Sequence, residues 1–120
     1  MPWITPQPQP AWGDKERLNF LREAWTRLKW GTFAFTPAAV ASLTAATYTV
    51  AATGGDVTTN AVVGLRAGMA VSVTWPSVPV AGLVLDCWCD ASDTLKVRFS
   101  NFSGGALTPP AGAYAFQGVV

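Results

Sequence analysis

Apolar and polar residues alternate without interruption between Thr94 and Asn101. Successive side chains of an extended strand point to opposite sides, so a period of two predicts a strand with one buried face. The apolar set is Leu95, Val97 and Phe99, and the polar set is Lys96, Arg98 and Ser100.

Short segments of similar character recur from Ala46 onward, separated by residues that favour turns. Glycine and proline pairs, such as Gly54-Gly55 and Pro109-Pro110, mark the interruptions. The predicted strands are residues 47–52, 57–63, 69–75, 83–90, 94–101 and 113–119. This spacing predicts a mainly β domain over residues 46–120, which is a small antiparallel β-sandwich or a jelly-roll-like barrel.

A different period marks residues 14–30. Apolar side chains recur there at steps of three and four residues, at Leu18, Leu21, Trp25 and Leu28. This stripe predicts one amphipathic α-helix, with Asp14 as its N-cap and Gly31 as the left-handed residue after its last turn. No second helix is predicted, so the stripe is expected to pack on the β-domain, on copies of itself or on another protein. Both signs of charge flank this narrow stripe, which argues against a membrane-surface helix.

Residues 1–13 are predicted to be an extended arm, because their prolines remove backbone donors and disfavour a helix. The arm carries Trp3, Ile4 and Trp12, whose side chains gain much from burial, either in grooves of a partner or against the chain's own body. Residues 31–45 are predicted to be a connector. The aromatic residues around its start either close one end of the core or form a contact patch; they are Trp30, Phe33 and Phe35.

Charged residues are scarce, at 12% of the chain, against about 25% in an ordinary soluble domain. The net charge is +1, which gives no electrostatic reason to expect binding to nucleic acid or to an anionic membrane. More than half of the charged residues lie between Asp14 and Lys29, so the predicted β-domain is nearly uncharged. A small domain of this kind is expected to have part of its surface covered by other subunits.

The sequence offers little catalytic chemistry. It contains no histidine, which excludes the ordinary Ser-His-Asp triad and argues against a zinc site. Cys87 and Cys89 lie two apart on one predicted strand, a poor geometry for a mutual disulfide, and are interpreted as small core residues. Asp90 and Asp93 are expected to form a turn through side-chain to backbone hydrogen bonds. We therefore expect a protein that is not an enzyme and has no cofactor or metal.

Three segments carry a resemblance to a known group of proteins. They are Gly64-Leu65-Arg66-Ala67-Gly68-Met69, Asp93-Thr94-Leu95-Lys96-Val97-Arg98, and Gly-Gly-Ala-Leu-Thr-Pro-Pro-Ala-Gly at residues 104–112. With the strands between them, residues 46–120 resemble the small β-domain of tailed-bacteriophage virion proteins, a group of head decoration (cement), head-fibre and tail-fibre components. The resemblance implies a structural protein, made in the host cytoplasm and placed on the capsid surface of the virion.

The same resemblance implies a homotrimer that bridges neighbouring subunits of the major capsid protein or of another virion protein. A head- or tail-fibre anchor or knob is the alternative within this class. The candidates for partner contacts are Trp3, Ile4, Trp12, Leu18, Leu21, Trp25, Leu28, Trp30, Phe33, Phe35 and Trp88. Trp88 is expected beside Asp86, on the strand face opposite Leu85 and Cys87. In another class of function, a small carbohydrate-binding module, an exposed Trp88 or Tyr114 would stack on a glycan.

Overall fold

The strands of the chain form two sheets in the computed structural model, which describes residues 28–119. In chain order the strands are β1 (Leu28–Phe35), β2 (Ala45–Ala51), β3 (Val57–Thr58), β4 (Ala70–Thr74), β5 (Leu83–Trp88), β6 (Thr94–Asn101) and β7 (Gly112–Val119). A three-stranded sheet has the order β1-β7-β4, and a four-stranded sheet has the order β3-β2-β6-β5. The mainly β class is confirmed, and these two sheets do not close into a barrel.

The strand β6 has the bounds that its alternating sequence predicts. It lies between β2 and β5 in the four-stranded sheet and is antiparallel to both. Leu95, Val97 and Phe99 are fully buried on its inner face, as expected. Strand β3 adds to the edge of this sheet in parallel with β2, which departs from a purely antiparallel arrangement.

Aromatic side chains fill the space between the two sheets. Phe33 of β1 stacks on Tyr114 of β7, with ring centroids 5.8 Å apart. Tyr114 in turn makes an edge contact with Phe99 of β6 across the sandwich, at 6.0 Å between centroids. Stacked and edge-to-face pairs at such distances add to the stabilisation from burial. The core therefore depends on residues from both sheets.

The structure corrects the predicted end of the helix. Leu28, Lys29 and Trp30 belong to strand β1, and Gly31 lies within that strand instead of capping a helix. Strand β1 pairs with β7 along its full length, from Leu28 opposite Val119 to Phe35 opposite Gly112. The alternation that continues through Phe33 and Phe35 accounts for the strand, because it places both phenylalanines in the core. Strand β1 also occupies the first part of the predicted connector.

The rest of the predicted helix, residues 14–27, and the predicted arm, residues 1–13, lie outside the described residues. Within the described part, the segment 57–63 also differs from its predicted single strand. Strand β3 stops at Thr58, and Asn60–Val62 form one 3₁₀ turn. The Thr59 hydroxyl accepts a hydrogen bond from the Ala61 N–H and so caps this turn.

A buried asparagine organises one end of the sandwich. Asn101 is 1% exposed, and its Nδ2 donates to the carbonyl oxygens of Val40 at 2.8 Å and Gly105 at 2.9 Å. Its Oδ1 accepts from the backbone N–H and the hydroxyl of Ser103. These bonds join the loop after β6 to the segment before β2, where Val40 and Leu107 form an isolated bridge. The loops at this end are thus tied to the core.

Candidate interaction surface

The outer face of the three-stranded sheet is entirely exposed and carries no charge. Because side chains alternate along each strand, the residues on this face are Leu28, Trp30, Thr32 and Ala34 from β1, Ala113, Ala115, Gln117 and Val119 from β7, and Ala70, Ser72 and Thr74 from β4. We refer to this set as the uncharged face. An exposed face that mixes large apolar side chains with small polar ones is typical of an interaction surface.

Two shallow grooves cross the uncharged face, one on each side of Trp30. The first groove is lined by Leu28, Lys29, Trp30, Ala70, Ser72 and Val119, among others. The Lys29 side chain itself lies on the other side of the sheet, with its amine end near Gly64. The second is lined by Trp30, Thr32, Thr74, Ala115 and Gln117 together with backbone of the same strands. Leu28 is 43% exposed, Trp30 58% and Val119 50%. The largest apolar side chains of this face therefore stand beside concave surface that a partner side chain could fill.

The outer face of the four-stranded sheet has a different chemistry. Asp86 and Arg98 are directly opposite each other on β5 and β6 and form an ion pair at 2.6 Å. The Arg98 guanidinium also lies over the Trp88 ring, 5.2 Å from its centroid, a cation–π arrangement. Lys96 Nζ donates to the Thr49 hydroxyl at 2.6 Å. This face is charged and its charged groups bond to neighbours on the same sheet.

The structure confirms the predicted side of Trp88, and it does not show the exposed Tyr114 that glycan stacking would need. Trp88 is on the same face as Asp86 and opposite the half-buried Leu85 and Cys87. Its ring is half-buried, with Arg98 over it. Tyr114 is fully buried, so it cannot stack on a glycan, and its hydroxyl donates to the Pro110 carbonyl at 2.6 Å. Burial raises the pKa of the Tyr114 phenol to about 12.

The structure separates the predicted contact residues into three groups. Leu28 and Trp30 lie together on the uncharged face, while Trp88 lies on the charged face of the other sheet. Phe33 and Phe35 are 3% and 9% exposed, so their place is the core and they are not available as a contact patch. The remaining candidates lie outside the described residues: Trp3, Ile4, Trp12, Leu18, Leu21 and Trp25.

Both cysteines are free thiols in a partly or fully buried setting. Cys89 is 6% exposed and belongs to the core, as predicted, and Cys87 is half-buried. The Cys87 thiol donates to the Val71 carbonyl of β4 at 3.5 Å. Desolvation, with smaller contributions from Cys87 and Asp90, raises the pKa of the Cys89 thiol to about 11, and burial also raises the pKa of Cys87. Such thiols hold little thiolate near neutral pH.

Asp93, in the turn after β5, has a structural partner. Asp93 has a left-handed backbone, and its carboxylate accepts a hydrogen bond from the Gly64 N–H at 2.8 Å. The predicted bond within the turn at residues 90–94 is therefore not the one that the Asp93 carboxylate makes, because its partner lies in the loop at Gly64, 29 residues earlier in the chain. Among residues 28–119, no three His, Cys, Asp or Glu side chains come together in a way that could hold a metal ion.

Sequence reasoning missed the uncharged face, although its signal is present in β7. Ala113, Ala115, Gln117 and Val119 alternate with the core residues of that strand. Exposed strand positions ordinarily include charged residues, and their absence could have been noticed. The exposed pair Leu43 and Phe102, at 75% and 68%, was also missed, since both lie in loops without a pattern.

The three comparisons with known proteins found no family model, no curated protein and no solved structure that matches this chain. Residues 28–119 include no helix of the length and apolar character needed to cross a bilayer.

Proposed function

We propose that this chain is a structural protein of a bacteriophage particle, a capsid decoration or cement protein that associates with copies of itself and bridges neighbouring capsid subunits. It acts on the capsid surface of the virion after synthesis in the host cytoplasm, and it performs no catalysis. The partners are a second copy of the chain, most simply in a homotrimer, and the major capsid protein or another virion protein. The observation that carries the proposal is the uncharged face.

Burial of the uncharged face would be favourable for a simple physical reason. Apolar area removed from water contributes about 25 cal/mol per Å². A contact on this face covers Leu28, Trp30 and Val119, each of them at least 43% exposed. It also desolvates no charged side chain, which is the costliest part of burying an ordinary protein surface. The four-stranded sheet lacks this advantage, because a contact there would cover Asp86, Lys96 and Arg98.

A single added charge tests self-association through this face. Gln117→Glu keeps the size of the side chain at the middle of the uncharged face and adds a negative charge. Sedimentation of the full chain is expected to show an oligomer for the wild type and an association at least about tenfold weaker for this variant, which corresponds to about 1.4 kcal/mol. Thr47→Glu adds the same charge to an exposed position of the charged face, opposite Arg98, and is expected to associate like the wild type.

A wild-type chain that stays monomeric at micromolar concentration would contradict self-association. Equal weakening by Gln117→Glu and Thr47→Glu would contradict the choice of face. The place on the particle is tested separately, by labelling the protein in purified virions for electron microscopy. Density on the capsid surface supports the decoration role, whereas density at a fibre attachment point would favour a head- or tail-fibre anchor.

A carbohydrate-binding module is the candidate from another class of function, and the surroundings of Trp88 and Tyr114 argue against it. Sugar-binding tryptophans offer an open ring face, but Arg98 lies over the half-buried Trp88. Tyr114 is in the core. Binding of the isolated protein to a glycan array, abolished by Trp88→Ala, would nevertheless establish this function.

A further inference from the structure

The chain enters the three-stranded sheet at one end of the uncharged face. Leu28 is the first residue of β1, pairs with Val119 and lines the groove beside Trp30. Residues 14–27 are joined directly to this position. Residues 14–27 are therefore the segment of the chain that is attached at the edge of the uncharged face.

The sequence of residues 14–27 suits the uncharged face in length and in pattern. Leu18, Leu21 and Trp25 recur at helical spacing, so a helix over this segment presents one apolar stripe. Such a helix is about 21 Å long, and the eight-residue strand β1 is about 26 Å long. The stripe would cover apolar and small side chains without burying a charge, while the charged residues of the segment would stay in water.

The connection to β1 favours the face of another copy. Only Thr26 and Arg27 separate Trp25 from Leu28, which is already paired in the sheet. A return onto the chain's own face would require these two residues to reverse the chain. Residues 14–27 contain no glycine or proline, and Thr26 and Arg27 are not residues that favour tight turns. Binding to a neighbouring copy would require no such reversal of the chain.

We propose that residues 14–27 of one copy bind the uncharged face of a neighbouring copy, with Leu18, Leu21 and Trp25 lying across its grooves. This inference rests on the self-association proposed above and names the part of the partner that occupies the face. The contact is heterologous, since the segment of one copy meets the sheet of the next. Contacts of this type form rings such as trimers where the rotation between copies closes.

Cross-linking between differently tagged chains tests the exchange directly. One full-length chain carries Leu21→Cys and the other carries Ala115→Cys, at the centre of the uncharged face. The two are co-expressed, purified together and oxidised mildly. A mixed disulfide dimer is expected on a denaturing gel. The control pairs Leu21→Cys with Thr47→Cys, the matched position on the charged face, in place of Ala115→Cys. The dimer should be at least about tenfold more abundant with Ala115→Cys than with Thr47→Cys, which corresponds to about 1.4 kcal/mol. The wild-type chain gives the background from Cys87 and Cys89.

A chain that carries both Leu21→Cys and Ala115→Cys, co-expressed with excess wild type, separates exchange from a contact within one copy. Loss of the cross-link under this dilution supports exchange, whereas an undiminished cross-link at monomer mass would overturn it. A wild-type oligomer that gives no cross-link between positions 21 and 115 would also overturn the inference and leave the proposed self-association intact. A wild-type chain that stays monomeric would contradict both the proposed self-association and this inference.

Discussion

At the scale of single residues, the stability of the loop end depends on Asn101. Its side chain satisfies the Val40 and Gly105 carbonyls and accepts two bonds from Ser103. Asn101→Ala leaves these groups without their partner in a buried place, and we expect the free energy of unfolding to fall by about 2–4 kcal/mol. Urea denaturation measures the change. Asn60→Ala, at an exposed position, is the control and is expected to change stability by less than about 0.5 kcal/mol.

Cys89 gives a prediction about pH. The folded state raises the pKa of this thiol from its usual 9.0 to about 11, so the unfolded chain releases the proton first as pH increases. The contribution of the Cys89 thiol to the free energy of unfolding is fully present below pH 9.0 and is lost as pH rises towards about 11. The urea midpoint of the wild type should fall over this pH range. The midpoint of Cys89→Ala should fall less, because only the other groups with raised pKa values, such as Tyr114, still titrate in that variant. Parallel curves for the two proteins would show that the thiol pKa is not raised.

Which side a strand residue faces could be predicted where its strand alternates clearly. Trp88 and Cys89 were placed correctly, on the outer face and in the core, because their neighbours fix the period of β5. Phe33 and Phe35 could not be assigned to core or surface, since a strand that starts at Leu28 overlaps a sequence with helical spacing. The hydrogen bond from Asn101 to Val40 was not predictable either, because it joins residues 61 positions apart in the chain.

At the scale of elements, the packing of β1 on the core requires a glycine at position 31. A Cβ at this position would lie 2.9 Å from the Ala61 Cβ and 3.1 Å from the Phe116 ring. We expect Gly31→Ala to lower the free energy of unfolding by about 1–3 kcal/mol, the usual cost of overpacking. Gly104→Ala meets nothing within 4 Å and should stay within about 0.5 kcal/mol of the wild type. Equal stability of both variants in thermal or urea denaturation would contradict the packing of β1 on the 3₁₀ turn.

The error at the end of the predicted helix has a single cause. Leu18, Leu21 and Trp25 set a helical period that Leu28 continues by coincidence, although pairing with Val119 makes Leu28 part of a strand. Local pattern cannot detect a partner strand that lies near the other end of the chain. Strand β6 could be predicted without knowing its partner strands, because its own sequence alternates between apolar and polar residues.

At the scale of the whole molecule, the sequence predicts the mainly β class but not the order of the strands. Strand β1 pairs with the last strand, and β4 joins that same sheet from the middle of the chain. The uncharged face exists only because these three strands meet, since each one contributes just a few small or apolar outer residues. Scarcity of charge in the composition predicts a covered surface, and the pairing of these strands forms the uncharged face on which we propose that it lies.

Salt dependence distinguishes the two faces as sites of self-association. Screening shortens the range of charge interactions from about 10 Å at 0.1 M salt to about 3 Å at 1 M. A contact through the uncharged face should therefore keep its dissociation constant in sodium chloride and become tighter in sulfate, which strengthens apolar burial. Sedimentation at several salt concentrations measures this, with the Gln117→Glu variant as a control. A marked weakening by sodium chloride would contradict a contact through the uncharged face, which carries no charge to be screened, and would favour the face of Asp86, Lys96 and Arg98.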